Sequence, residues 1–180
     1  MLKRAEPRRI WVSLTLLAFA LVVLALTTLK SFFSIGLLWK PENQKVRSLE
    51  LIPLEDIFAA TSWFAPLFDY LGNFAFFVPL GALAAILLGP GKLWRVAGMA
   101  ALFSLAIELT QFSFALGRTD IDDLVCNTLG GLFGAWLAGR GGKRWHTLIT
   151  LLSGLAVLVF LVLVILGPTL GDPTKVVPVN

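Results

Sequence analysis

Long stretches of apolar residues dominate the chain, and most polar residues lie between them. An α-helix needs roughly 20 residues to cross the hydrocarbon core of a bilayer, and five stretches come close to this length. They are rich in leucine and alanine and do not alternate between apolar and polar residues, which argues against a β-barrel. The pattern predicts an all-α membrane protein, a bundle of five transmembrane helices at residues 10–29, 70–88, 93–114, 123–138 and 146–166.

The segments around these helices predict how the chain is organised. Residues 54–68 are too short and too charged at one end to cross a membrane, so we interpret them as an interfacial helix on the outer leaflet. The predicted order is a basic cytoplasmic N-terminus at 1–9, an anchor helix at 10–29, an extracytoplasmic loop at 30–69, a core of three transmembrane helices at 70–140, a fifth transmembrane helix at 145–167 and an extracytoplasmic tail at 168–180.

The distribution of charge predicts that the N-terminus lies inside. With this orientation, nine lysines and arginines lie on the inner side and six on the outer side, while only Glu6 among eleven acidic residues lies inside. Cytoplasmic segments carry an excess of lysine and arginine, and tryptophans collect at membrane interfaces. Trp11, Trp94 and Trp145 stand at the predicted inner ends of three helices. His146, which follows Arg144 and Trp145, is interpreted as an interfacial residue at the inner face.

Composition narrows the class of protein. The 180 residues are 57% hydrophobic and 14% charged, and the mean hydropathy is +0.84. Such a chain is neither a soluble globular domain nor a disordered one. The single cysteine, Cys126, excludes an internal disulfide, and no cluster of cysteine and histidine offers a transition-metal site. Because membrane topology accounts for the net charge of +4, we expect no nucleic-acid partner.

Polar residues that interrupt the apolar stretches form a candidate site, because ionisable groups inside a membrane are costly. They occur on three helices at helical spacing, and the rise of a helix places them within about 6–9 Å of the outer boundary. Glycines at positions 130, 131 and 134 should let the helices approach closely. The candidate ligand-binding cluster comprises Asp69, Asn73, Ser104, Glu108, Gln111, Arg118, Asp120, Asp122, Asp123 and Asn127.

Three motifs, in this order, resemble the VanZ-like family: "DYLGNFAFFVPLG" at 69–81, "SLAIELTQ" at 104–111 and "GRTDIDDLVCNTLGGLFG" at 117–134. The segment "RSLELIPLEDI" at 47–57 is similar to the one that precedes them in many members. The resemblance covers about residues 46–140. It implies a multi-pass protein of the bacterial plasma membrane, linked to the cell envelope and to low-level resistance to the glycopeptide teicoplanin. It implies no known reaction.

The charge balance of the cluster favours a binding site. The cluster contains one arginine, Arg118, and five carboxylates, those of Asp69, Glu108, Asp120, Asp122 and Asp123. The favoured hypothesis is an outer-leaflet site for the polar head of an envelope lipid, a lipid-linked precursor or a glycopeptide-type amphiphile. No cofactor is evident, although a divalent cation with oxygen ligands could bridge to phosphate.

Two other hypotheses fit the same residues. One is an integral membrane enzyme that acts on lipid-linked envelope substrates by carboxylate acid/base chemistry, although no obvious nucleophile lies in the cluster. The other is a purely structural polar network in a protein with an adaptor role. In that network, Arg118 would pair with Glu108 and with Asp120 or Asp122.

Overall fold

A computed structural model describes residues 7–28, 47–60 and 63–166, and 84% of this part is helical. The predicted tail, the N-terminal segment before Pro7 and much of the predicted loop lie outside the described residues. In chain order the elements are α1 (Pro7–Thr28), β1 (Arg47–Glu50), α2 (Glu55–Ala59), α3 (Phe64–Leu88), α4 (Leu93–Phe114), β2 (Gly117–Asp120), α5 (Ile121–Arg140) and α6 (Lys143–Leu166).

Four helices in the described part of the chain, α1, α3, α4 and α6, are long and apolar enough to cross a membrane. The fifth predicted span corresponds to α5, whose 20 residues give a length of about 30 Å. Acidic residues in its first turn and Arg140 in its last make α5 less apolar than the other four. By length and composition, four of the described helices are therefore candidate membrane spans.

Glycines allow α5 to pack closely against α3. A Cβ atom at Gly130 would overlap the Phe74 carbonyl oxygen, and one at Gly134 would overlap that of Val78. Gly131 lies against Ala100 of α4 in the same way. The predicted close approach is therefore confirmed. Because successive residues of α5 meet successive residues of α3, the two helices run parallel.

The apolar core joins α1, α3 and α4. Phe77 and Ile107 are each 1% exposed, and they pack with Phe19, Val23 and other buried side chains. Many large apolar side chains on the outer faces of the helices are instead exposed. Among the described residues of α6, only Ser153 is buried. This distribution is typical of helices that meet lipid on their outer faces.

Two short strands correct the expectation of an all-α chain. β1 and β2 pair in parallel, with Arg47 opposite Gly117 and Glu50 opposite Asp120. The four-residue strands RSLE and GRTD do not show the alternation of apolar and polar residues by which a strand is identified in a sequence. The two strands are about seventy residues apart in the chain, so they meet only when the helices between them are packed.

The prediction of a single interfacial helix over residues 54–68 is wrong. α2 ends at Ala59, and Ala60 is extended. Residues 64–68 form the beginning of α3, where Pro66 lies in the first turn. Proline is tolerated there because the first N–H groups of a helix have no partner within it.

Candidate functional site

Polar side chains from several elements meet at one end of the bundle, here called the acidic end. At this end α1 and α4 finish, α3 and α5 begin, and β1 pairs with β2. All eight aspartates and glutamates among the described residues lie at or near it, together with two arginines. The residues are Glu50, Glu55, Asp56, Asp69, Glu108, Asp120, Asp122 and Asp123, with Arg47 and Arg118.

Asp122 links three elements of the acidic end. Its Oδ2 atom accepts hydrogen bonds from the Tyr70 hydroxyl of α3, at 2.9 Å, and from the Leu54 backbone N–H, at 2.6 Å. Leu54 has a left-handed backbone, with φ of 62°, and lies directly before α2. Asp122 is 6% exposed. Sequence reasoning missed Tyr70, although it is the only tyrosine and stands beside a predicted site residue.

Asp120 caps the N-terminus of α5. Its Oδ1 atom accepts a hydrogen bond from the Asp122 backbone N–H at 2.8 Å, and its own N–H donates to Glu108 Oε2 at 3.1 Å. Burial and the neighbouring charges of Asp122, Glu50 and others raise the pKa of Asp120 to about 6, although the hydrogen bond from Asp122 acts in the opposite direction. Asp120 therefore titrates close to neutral pH.

The deeper members of the cluster bond to one another. Asn73 donates a hydrogen bond to Asp123, which joins α3 to α5. Asn127 donates to Ser104 Oγ at 2.9 Å, which joins α5 to α4, and Gln111 donates to the Thr27 carbonyl oxygen of α1 at 3.2 Å.

Two oxygens of this deeper layer have no donor. The side-chain amide oxygens of Gln111 and Asn127 are buried without a hydrogen-bond partner among the described residues. The layer therefore connects four helices and retains unused acceptors.

Arg118 does not pair as predicted. Its guanidinium binds Asp56 Oδ2 at 2.7 Å and Glu50 Oε1 at 3.4 Å. The predicted partners Glu108, Asp120 and Asp122 instead accept hydrogen bonds from neutral N–H or O–H groups. Burial alone would lower the pKa of Arg118, but Glu50 and Asp56 outweigh it and raise that pKa.

Glu50 and Asp56 lie outside the long apolar stretches, so the spacing of polar residues in those stretches could not identify them. Both lie in the segment that resembles the one preceding the three motifs. Carboxylate oxygens of Glu50, Asp56 and Asp120 lie within 4.8 Å of one another. Hard divalent cations take such oxygen ligands. Asp69 is exposed on α3, and its charge also stabilises the Arg118 cation.

The acidic end thus has two layers. The inner layer is the deeper set of residues described above, Asn73, Ser104, Gln111, Asp123 and Asn127, whose hydrogen bonds join four helices. The outer layer is more accessible: the side chains of Arg118, Glu50 and Asp56 are 48%, 22% and 24% exposed. Beside it, large aromatic rings are exposed at Phe58, Trp63, Phe64 and Phe68.

Comparisons with known proteins agree with the resemblance of the motifs. The family model described as VanZ/LLP1 matches residues 16–141. Protein VanZ of Enterococcus faecium is 35% identical over 104 residues, which are 58% of this chain. The match spans 60% of that relative, less than two thirds of its length. No solved structure matches the chain significantly. The chain belongs to the VanZ/LLP1 family.

Proposed function

We propose that the acidic end binds the polar head group of a cell-envelope amphiphile, either a lipid or a glycopeptide of the teicoplanin type. The observation that carries the proposal is the excess of negative charge. Eight carboxyl groups and two arginines lie at or near this end of the described chain. Arg118 pairs with two of the carboxylates, while Arg47 donates to the Ser113 carbonyl oxygen and lies over the Phe112 ring. A cationic head group would offset the charge of exposed carboxylates such as Asp69, and a hydroxyl-rich head group would donate hydrogen bonds to them.

The outer layer is the part that would contact the ligand. Asp69 is exposed, and Glu50 and Asp56 are partly exposed. Aromatic side chains beside them include Phe64 and Phe68, whose rings stack with centroids 6.1 Å apart. An amphiphile needs a polar contact and an apolar contact next to each other, and this surface offers both. The inner layer would position the outer one without touching the ligand.

The site would face the outside of a bacterial plasma membrane. Seven lysines and arginines, and no described acidic residue, lie at the opposite end of the bundle. The excess of basic residues on the cytoplasmic side favours an inner location for that end. In this arrangement α5 is a fifth crossing, because it begins at the acidic end and finishes at the opposite one.

A divalent cation would extend the range of head groups. We propose Glu50, Asp56 and Asp120 as its oxygen ligands, with the cation bridging to a phosphate of the amphiphile. The cation would compete with Arg118, which already binds two of these carboxylates. Without the metal ion the site would bind a cationic head group. With the metal ion in place of Arg118 it would bind a phosphate.

Binding of fluorescently labelled teicoplanin to the full chain in lipid nanodiscs tests the proposal. Asp69→Asn should weaken binding without changing the melting temperature, because Asp69 is exposed. Glu55→Gln is the matched control, since Glu55 is an exposed acid at the same end that does not belong to the outer layer. Equal binding to the wild type and to Asp69→Asn would contradict a role for the outer layer. Equal losses of teicoplanin binding in both variants would indicate a nonspecific attraction to the negative charge of this end and not a specific site.

One observation favours an enzyme as a second candidate. The raised pKa of Asp120, about 6, is suitable for a general acid or base near neutral pH. Turnover of a lipid-linked envelope precursor that is lost in Asp120→Asn would support this function. If neither binding nor turnover is found, the remaining interpretation is a structural network in an adaptor protein.

A further inference from the structure

The end of the bundle opposite the carboxylates, here called the basic end, has a dense positive charge. α1, α4 and α6 begin there, and α3 and α5 finish there. Across residues 7–28, 47–60 and 63–166 no aspartate or glutamate lies at this end, whereas Glu6 falls outside these ranges. The cations are Arg8, Arg9, Lys92, Arg95, Arg140, Lys143 and Arg144.

Two neighbouring cavities lie between the helix ends in this charged region. One cavity of about 340 Å³ is lined by Arg8, Arg9 and His146 and by apolar side chains such as Val12 and Leu88. A second cavity, of about 570 Å³, is lined by Lys92, Arg140 and the same His146. His146 thus contributes to both, and together they form what we call the basic groove.

Backbone contacts hold the two arginines of the first cavity. The Arg8 guanidinium donates to the Lys143 carbonyl oxygen, and the Arg9 guanidinium donates to the Leu87 carbonyl oxygen, each at 3.0 Å. Each guanidinium has five N–H donors. Since no described carboxylate lies near, most of these donors remain available to an anion. The partial positive charge at the start of α6 adds to the attraction.

The His146 ring is held by a backbone contact beside the groove. Its Nε2 atom lies 3.0 Å from the Ala138 carbonyl oxygen, which can only accept a hydrogen bond. Nε2 therefore carries the proton and donates it. The other nitrogen, Nδ1, is not engaged by this contact.

Aromatic side chains indicate that the groove lies at a membrane surface. Trp11 and Trp94 are 67% and 78% exposed at the basic end. Tryptophan collects where hydrocarbon meets head groups. A groove at this depth with a cationic mouth and an apolar wall matches a phospholipid better than a free anion.

We propose that the basic groove binds the phosphate head group of an anionic phospholipid from the adjoining leaflet. The phosphate would contact Arg8 and Arg9, and an acyl chain would lie along Leu87 and Leu88. Basic pockets between transmembrane helices bind such head groups in other membrane proteins. The site is separate from the acidic end and does not depend on the function proposed for it.

Lipid binding by native mass spectrometry of the full chain tests this site. The wild type should bind phosphatidylglycerol in preference to phosphatidylcholine, and millimolar inorganic phosphate should not displace the lipid. Each arginine should contribute about fivefold to affinity, so the Arg8→Gln, Arg9→Gln double variant should bind phosphatidylglycerol about 25-fold more weakly.

The matched control is the Arg95→Gln, Arg144→Gln double variant. It removes the same charge from two exposed residues of the basic end that line neither cavity. It should retain most of the preference for phosphatidylglycerol. Equal losses in the two double variants would overturn the proposal in favour of diffuse attraction, and displacement by inorganic phosphate would overturn it in favour of a free-anion site. If the first double variant fails to fold, the wild type still decides, because equal binding of the two lipids would overturn the proposal.

Discussion

The Tyr70 hydroxyl donates a hydrogen bond to the carboxylate of Asp122, 2.9 Å away, and so joins the beginning of α3 to the beginning of α5. Tyr70→Phe removes the donor and retains the ring. We expect it to lower the free energy of unfolding by about 1.5 kcal/mol, because a bond to a charged group is stronger than a neutral one. Thermal unfolding in detergent measures the loss. Thr110→Val is the control, since the Thr110 hydroxyl bonds only within α4, to the Ala106 carbonyl oxygen.

Gly134→Ala should disrupt the contact between α5 and α3. The added methyl group would overlap the Val78 carbonyl oxygen, which is backbone and cannot turn away. Overpacking of this kind typically costs about 1–3 kcal/mol. Gly139→Ala on the same helix is the control, because a methyl group there meets no atom within 4 Å. It should be neutral or stabilising, since alanine favours a helix over glycine. Equal melting temperatures for the two variants would contradict the close packing.

The stability of the protein should depend on pH through Asp120. Its pKa rises from 3.8 to about 6 in the folded chain, so folding favours the protonated carboxyl. The resulting contribution to stability is complete below about pH 4 and is lost as the pH rises through about 6. Asp120→Asn keeps a cap for α5, because asparagine is also a good N-cap, and it does not ionise.

Melting curves of the wild type and Asp120→Asn across this pH range isolate the effect from other titrating groups. The wild type should lose stability relative to the variant between about pH 4 and pH 7. A difference in melting temperature that stays constant with pH would show that Asp120 does not titrate there.

Removing Arg118 should expose the carboxylates that it pairs with. We expect Arg118→Ala to lower the free energy of unfolding by about 1 kcal/mol or less, because its side chain is 48% exposed and solvent screens the pairs. Millimolar magnesium or calcium should partly restore the melting temperature by binding near Glu50 and Asp56. Lysine should substitute poorly, since it lacks the planar guanidinium. A melting temperature unchanged with and without the cation would contradict the structural role of these pairs.

The residues that precede and follow α5 should be accessible from opposite sides of the membrane. In a Cys126→Ala background, Ser113→Cys at the acidic end should react with an impermeant thiol reagent in intact cells. Gly142→Cys at the basic end should react only after the inner face is opened. Both positions are exposed in the structure. Labelling of both from outside would exclude α5 as a crossing.

The long helices follow from local sequence. Burial of apolar surface and the hydrogen bonding of the backbone in lipid act over each stretch of about 20 residues separately, so position along the chain was enough to find them. Helical spacing also placed Ser104, Glu108 and Gln111 on one side of α4, and the structure buries all three. Glycine positions on α5 indicated close packing for the same local reason.

Partners at the acidic end were decided by tertiary structure. β1 and β2 pair across about seventy residues, and this pairing, with α2, brings Glu50 and Asp56 to Arg118. A long arginine side chain can reach any of several acids, so spacing along one helix could not identify its partners. The Tyr70 hydroxyl meets Asp122 only because Gly130 and Gly134 let α5 approach α3 closely. Hydrophobic partition is a property of each segment, whereas hydrogen bonds and ion pairs require atoms to meet at about 3 Å, which only the packed chain determines.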